Sequence, residues 1–159
     1  MSKLRLLAYG IAALVAVANF ILVRFMLGMV RHILISGLAD FSPTLNRGVS
    51  FSLLIQNSDS GRYALIAVLL VITVGVAIMA WRASSLLASG GLGLILGGAL
   101  GNLSNRLQFH GAVFDFLALH LGKTPLFVCN FADIAISAGA VLLFADYFFV
   151  KQAAREFAD

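Results

Sequence analysis

Four apolar blocks, each about as long as a bilayer is thick, constrain this chain more than any other feature. They run over residues 4–29, 63–81, 86–103 and 126–150. A helix needs about 20 apolar residues to cross the hydrocarbon core, and in lipid the backbone must satisfy its own hydrogen bonds. None of the blocks shows the period-2 alternation of a barrel strand. We therefore predict an all-α membrane protein with four transmembrane helices, forming a single integral membrane domain over residues 1–159.

Composition and the distribution of charge agree with this class. Hydrophobic residues make up 61% of the chain, charged residues 11%, and the mean hydropathy is +1.00, whereas a soluble domain is about a quarter charged. The excess of basic residues (net charge +4) fits membrane topology and contact with lipid headgroups, so we expect membrane lipid and no nucleic acid as a partner. Basic residues are densest in the short flanks, which predicts cytoplasmic termini; these residues are Lys3, Arg5, Arg82, Lys151 and Arg155.

The N-terminal block has an alternative interpretation as a cleavable signal peptide. Lys3 and Arg5, an apolar run and then Ala16-Val17-Ala18 resemble such a segment. The apolar character continues past Asn19 to Leu27, as it does in a spanning helix. We therefore expect this helix to be retained.

Two longer segments, about 30–62 and 104–125, lie outside the cytoplasm in this topology. Within the first, residues 49–56 alternate imperfectly between apolar and polar side chains, and Asn46-Arg47-Gly48 just before them is typical of a turn. This pattern predicts a small extracytoplasmic β-structure in the first loop. In the third apolar block, Gly93, Gly97 and Gly101 repeat every four residues, which predicts close approach of another helix.

Polar groups inside apolar segments are costly and therefore indicate function. Asn130 and Asp133 share one face of the fourth block, and Asp115 lies between Phe114 and Phe116 in an apolar loop. A desolvated carboxyl has a raised pKa, and two such carboxyls close together share one proton. The sequence leaves a structural alternative open, in which Asp133 only pairs with Arg106.

A proton-sharing pair of carboxyls can hydrolyse a peptide bond without a metal or a covalent nucleophile. One carboxylate takes a proton from water while its protonated partner donates to the carbonyl oxygen. We expect Asn102, Asn130 and Arg106 to orient such a pair or to hold substrate carbonyls. The chain contains one cysteine and no Cys/His cluster with metal-ligand spacing, so we expect no metal site.

Four motifs together resemble the lipoprotein signal peptidases (signal peptidase II). In chain order they are NRGVSF at 46–51, GGALGNL at 97–103 followed by Arg106, VFDF at 113–116, and NFAD at 130–133. Length, number of spans and motif order are also similar to that family, so the resemblance covers nearly the whole chain.

The resemblance implies an aspartic endopeptidase of the bacterial cytoplasmic membrane, with its active site near the periplasmic face. It implies Asp115 and Asp133 as the catalytic pair, without a cofactor. The implied substrate is the signal peptide of a prolipoprotein whose cysteine already carries diacylglycerol, cleaved just before that cysteine and blocked by globomycin-type peptides. We expect a monomer, since one bundle can contain the site. The implied supporting residues are Asn46, Asn102, Arg106 and Asn130, with Asn19.

The chain departs from the family pattern at four positions. Asn19 and Asn105 stand where the family usually has aspartate, Arg24 where it has lysine, and Cys129 where it has phenylalanine. The two amides keep the shape of the carboxylates and lose their charge. An impaired paralogue that binds lipidated peptides without cutting them is therefore the alternative function.

Two further functions are weaker interpretations of the same residues. Arg24, Asp133 and Asp146 would suit a small proton or solute carrier, although the chain shows no inverted repeat or matching broken helices. Cys129 beside Asn130 would suit a thiol peptidase, but no histidine lies at a convincing position.

Overall fold

The computed structural model describes residues 3–29, 33–36, 38–48, 59–122 and 124–156. Its helices are α1 (Lys3–Leu27), α2 (Asp59–Trp81), α3 (Leu86–Gln108) and α4 (Phe131–Glu156), and its strands are β1 (Ile33–Ser36), β2 (Ala39–Asn46), β3 (Val113–Leu121) and β4 (Thr124–Cys129). All four helices are long and apolar enough to cross a membrane. The prediction of four spanning helices is confirmed.

Several boundaries of the predicted spans differ from those of the helices: α2 begins at Asp59 rather than at residue 63, and α4 ends at Glu156 rather than at residue 150. The third helix continues to Gln108 rather than ending at residue 103, which adds a turn that carries Arg106. The fourth begins at Phe131 rather than at residue 126, because Thr124–Cys129 form strand β4. A short apolar run such as Leu126-Phe127-Val128 suits a buried strand and a helix equally well, so its periodicity does not distinguish the two.

Helix α3 is the centre of the bundle and packs against α1, α2 and α4. A Cβ atom on Gly93 would lie 2.6 Å from the carbonyl oxygen of Ala8, and one on Gly97 would lie 2.6 Å from Cβ of Val15. The predicted glycine seam is therefore confirmed, and its partner is α1. The backbones of α1 and α3 can lie this close at these positions only because glycine has no side chain.

A second glycine seam, which the sequence pattern did not predict, joins α3 to α4. A Cβ atom on Gly98 would lie 2.5 Å from the carbonyl oxygen of Ala132, and one on Gly139 would lie 2.5 Å from that of Gly91. Helix α3 thus presents glycine on two faces, one toward α1 and one toward α4. The contact with α4 lies close to Asp133.

The sheet is antiparallel with the strand order β1-β2-β3-β4. The predicted small β-structure is present, but half of it comes from the second loop, which supplies β3 and β4. Strands β2 and β3 pair in a register that sets Thr44 opposite Asp115 and Asn46 opposite Val113. The strand predicted over residues 49–56 lies outside the described residues.

One face of the sheet is attached to the bundle by an aromatic cluster. Phe41, Phe114 and Phe116 are buried together with Val23 of α1, and the ring centroids of Phe114 and Phe116 are 6.1 Å apart. Burial of aromatic side chains dominates the energetics of such contacts. The cluster therefore fixes β3 relative to the helices on both sides of Asp115.

Candidate active site

Asp115 lies on β3 and is almost completely buried, with 2% of its surface exposed. Both of its carboxylate oxygens accept a hydrogen bond from an amide. Asn46 Nδ2, at the end of β2, donates to Oδ2 over 3.0 Å, and Asn130 Nδ2 donates to Oδ1 over 2.8 Å. The sheet therefore supplies the carboxyl group and one of the two amides that hold it.

Asp133 lies in the first turn of α4, where it also caps the helix. The backbone N–H of Asn130 donates to Asp133 Oδ2 over 3.1 Å, and the backbone N–H of Asp133 donates to Asn130 Oδ1 over 3.1 Å. This reciprocal pair satisfies two donors at the helix start, as in a capping box. The second oxygen of Asp133 accepts a hydrogen bond from Asn102 Nδ2 over 2.8 Å.

Asn130 connects the two carboxyl groups. Its fully buried amide donates from Nδ2 to Asp115 Oδ1 over 2.8 Å and to Asn102 Oδ1 over 3.0 Å. Since Asn102 Nδ2 in turn donates to Asp133, a continuous hydrogen-bonded path runs from one carboxyl to the other through two amides. Both hydrogens of Asn130 Nδ2 and one hydrogen of Asn102 Nδ2 are directed at a carbonyl or carboxylate oxygen, which makes the arrangement rigid.

Arg106 does not form the ion pair with Asp133 that the sequence left open. Its guanidinium, on a side chain only 5% exposed, donates from Nη1 to the carbonyl oxygen of Gly111 over 2.8 Å and from Nη2 to that of Gly48 over 2.7 Å. It thereby ties the segments after β2 and before β3 to α3. Its Nε has no hydrogen-bond partner among the described residues.

A cavity of about 350 Å³ lies beside the two carboxyl groups, between α2, α3, α4 and the sheet. Its polar wall is formed by Asn46, Asn102, Arg106, Asp115 and Asp133, and its apolar wall includes Leu69, Ile72, Val76, Ile95 and Ile136. A largely apolar cavity with a few converging polar groups is typical of a binding site.

The surroundings of Asp115 stabilise its protonated form more than water would. Burial raises the pKa of Asp115 to about 6, and the neighbouring Asp133 adds to this; the hydrogen bonds from Asn46 and Asn130 and the charge of Arg106 only partly oppose it. A carboxyl held in this way is able to donate a proton near neutral pH.

Cys129 also lines the cavity, but its state does not suit a thiol nucleophile. Burial, together with the charges of Asp133 and Asp115, raises the pKa of the Cys129 thiol to about 11. Because the thiolate is the reactive form, the thiol stays protonated and unreactive. The cavity lining contains no histidine among the described residues.

The charged groups of the carrier hypothesis lie at opposite ends of α3. Arg24 Nη2 donates to Gln108 Oε1 over 2.6 Å at one end, and Asp146 accepts a hydrogen bond from the Ser85 hydroxyl at the other. The 23 residues of α3 span roughly 35 Å. Asp133 and Asp146 therefore lie near opposite ends of α3, and they are not adjacent steps of one route for a proton or a solute.

The structure brings together six of the seven predicted site residues. Asn19 is the exception: it is buried at 2% exposure between α1 and α3, where its Nδ2 would lie 2.8 Å from a Cβ atom on Gly101, and it does not line the cavity. Sequence reasoning missed the carbonyl groups of Gly48 and Gly111 that bind Arg106, because backbone acceptors leave no mark in a sequence. It also missed the cavity wall contributed by α2.

Comparison with known proteins gives one consistent family. The family model described as signal peptidase (SPase) II matches residues 8–149. A lipoprotein signal peptidase from Methylorubrum extorquens is 48% identical over 108 residues, which are 68% of this chain and 63% of that protein. The chain thus spans less than two thirds of that relative. A second, from Caulobacter vibrioides, is 34% identical over 92% of this chain and 89% of its own length.

A solved structure shares the fold. A bacterial membrane enzyme determined by the in meso method at 2.3 Å resolution superposes with a TM-score of 0.71, covering 89% of this chain and 87% of the other at 19% identity. At this identity the likeness concerns the fold alone.

Proposed function

Because the chain belongs to the signal peptidase II family, we propose that it is a membrane-embedded aspartic endopeptidase that removes signal peptides from prolipoproteins. The observation that carries this proposal is the hydrogen-bonded path from Asp115 to Asp133 through Asn130 and Asn102 at the edge of one cavity. Two carboxyls held in this way supply an acid and a base without any other reactive group.

The proposed reaction is attack of water on the carbonyl carbon of the scissile peptide bond. Asp133 accepts a proton from the water as the new C–O bond forms, and protonated Asp115 donates its proton to the carbonyl oxygen. Collapse of the tetrahedral intermediate breaks the C–N bond: Asp133 donates the proton it took from water to the leaving amine, and Asp115 takes a proton back from a hydroxyl of the gem-diol, so both carboxyls return to their starting states. Arg106 lines the cavity, and in this proposal its guanidinium holds a substrate carbonyl.

The proposed substrate is a prolipoprotein whose cysteine carries diacylglycerol, cut just before that cysteine. The apolar wall of the cavity lies on membrane-spanning helices α2, α3 and α4, which suits a substrate that approaches from the lipid. We place the protein in the bacterial cytoplasmic membrane as a monomer, with cytoplasmic termini. The carboxyl pair lies at the end of α3 opposite Ser85, and thus near the periplasmic face. Neither a metal nor a cofactor takes part in this mechanism.

One observation favours the alternative of a family member that binds without cutting. Asn19 Oδ1 and Asn105 Nδ2 are buried and have no hydrogen-bond partner among the described residues. Unsatisfied buried polar atoms cost about 1–3 kcal/mol each, so these two amides weaken the packing of α1 on α3. The carboxyl pair itself is intact, which is why we rank cleavage first.

We expect kcat/KM for cleavage to fall as the pH rises through about 6. The pKa of Asp115 is raised to about 6, so its proton is present below that pH and lost above it, and the reaction needs the protonated acid. A plot of kcat/KM between about pH 4 and about pH 8 should therefore show a descending limb with a slope approaching tenfold per unit.

The Asp40→Asn variant is the matched control for this profile. It removes the carboxylate charge that lies 3.2 Å from Nε2 of His120, and Asp40 does not line the cavity, so the variant should retain the same limb. A profile that is flat between about pH 5 and about pH 7 in the folded protein would refute the role given to Asp115.

A further inference from the structure

Among the described residues, two side chains with hydroxyl groups line the apolar half of the cavity, and they differ in their hydrogen bonding. Thr73 of α2 donates its hydroxyl hydrogen to the carbonyl oxygen of Leu69, one turn earlier in its own helix, over 2.7 Å. Ser137 of α4 is exposed to the cavity, and among the described residues its hydroxyl has no hydrogen-bond partner. The free donor in this half of the cavity therefore belongs to Ser137.

Ser137 stands one helical turn beyond Asp133 on the cavity face of α4, on the side away from the sheet. One turn advances about 5.4 Å, and an extended peptide advances about 3.3 Å per residue. A peptide lying along α4 with its scissile bond at Asp133 thus brings a backbone group one or two residues away to Ser137. Since Ser137 lies on the membrane side of Asp133, that group precedes the scissile bond.

A peptide group in this half of the cavity needs a partner. Its walls there are Leu69, Ile72, Val76, Ile95 and Ile136, and an unpaired backbone carbonyl in apolar surroundings costs several kcal/mol. We propose that Ser137 is a positioning residue that donates a hydrogen bond to a backbone carbonyl on the signal-peptide side of the scissile bond. This inference rests on the proposed function, because it takes the direction of the substrate from it.

The test compares Ser137→Ala, Ser137→Thr and Ser84→Ala in the full-length protein in detergent. The probe is a synthetic peptide that spans the cleavage site and carries a diacylglyceryl cysteine, and both KM and the Kd by fluorescence anisotropy are measured. Loss of one neutral hydrogen bond should raise KM and Kd about 3- to 10-fold in Ser137→Ala. The value of kcat should change less than about twofold, since the group acts on binding rather than on the reacting atoms.

Two controls isolate the hydroxyl group. Ser137→Thr keeps the donor and should restore KM and Kd, whereas Ser84 is exposed in the turn between α2 and α3, outside the cavity, so Ser84→Ala should behave as the parent protein. An unchanged Kd in Ser137→Ala, or a Ser137→Thr variant as weak as Ser137→Ala, would overturn the inference.

The two readouts separate this inference from the proposed function. If the parent protein binds the peptide without cutting it, the proposed cleavage fails, and the Kd comparison still decides the role of Ser137. If the parent protein neither binds nor cuts the peptide, both are overturned.

Discussion

Replacement of Asp115 or Asp133 by asparagine is expected to lower the rate of prolipoprotein cleavage by about 10²- to 10⁴-fold, while the protein remains folded. Asparagine has nearly the same shape as aspartate but can neither accept the proton of the attacking water nor supply one. At position 115 it would also set its NH2 group against Asn46 or Asn130, so one of two hydrogen bonds is lost. That loss costs about 1–3 kcal/mol, which leaves the fold intact.

The control for this pair of variants is Asp40→Asn, a carboxyl of the same sheet that does not line the cavity. It should cleave at the parental rate. Each purified variant is assayed with the lipidated prolipoprotein, and its thermal unfolding is followed in parallel. If Asp115→Asn or Asp133→Asn kept full activity, the two carboxyls would not be the catalytic pair.

Gly98→Ala is expected to destabilise the protein by about 3 kcal/mol, which corresponds to a fall of about 6–12 °C in Tm for a chain of this size. The added methyl group would lie 2.5 Å from the carbonyl oxygen of Ala132 and 2.7 Å from Cγ1 of Ile136. The neighbouring atom is backbone, so α3 and α4 must move apart. The movement also lengthens the hydrogen bond from Asn102 Nδ2 to Asp133 Oδ1, which is 2.8 Å long. Because this bond holds Asp133 in place, the rate of cleavage should fall as well.

Gly75→Ala is the matched control for this substitution. Gly75 lies in α2, and a Cβ atom there would have no neighbour within 4 Å. Because alanine is also the better helix former, this variant should be as stable as the parent protein. If Gly98→Ala unfolded at the same temperature as Gly75→Ala, the close packing of α3 on α4 would be refuted.

The helices could be predicted because lipid leaves the backbone little choice. A block such as residues 63–81, apolar throughout, has to satisfy its hydrogen bonds internally, and α2 covers it. The same reasoning identified Asp115 and Asp133, since a carboxyl among apolar neighbours is too costly to be accidental. Both predictions, the spanning helices and the carboxyl pair, therefore rest on the free-energy cost of burying polar groups.

The sheet and the second helix seam could not be predicted, because each depends on tertiary contacts. Strand β4 was joined to the fourth apolar block, since Leu126-Phe127-Val128 has no periodicity of its own. Gly91 and Gly98 were hidden beside the regular repeat of Gly93, Gly97 and Gly101, and only the packed structure shows that they face α4. The cavity wall on α2 carries almost no polar residue that would have marked it.

The buried amides show a further limit of sequence reasoning. Asn19 was predicted among the supporting residues, but the structure places it behind α3 against Gly101. Residue type alone did not show on which side of a helix its side chain would lie. Its side chain packs between α1 and α3, where its Oδ1 has no hydrogen-bond partner among the described residues.

The most direct test of the central claim is a gel-shift assay on the purified protein with a diacylglyceryl-modified prolipoprotein, with and without globomycin. The proposal predicts loss of the signal peptide in the absence of globomycin and protection of the substrate in its presence. A known signal peptidase II, assayed alongside, shows that the substrate is competent. If that enzyme cuts the substrate and this protein binds it without cutting, the protein is not a peptidase, and binding of lipidated peptides takes the place of cleavage as its function.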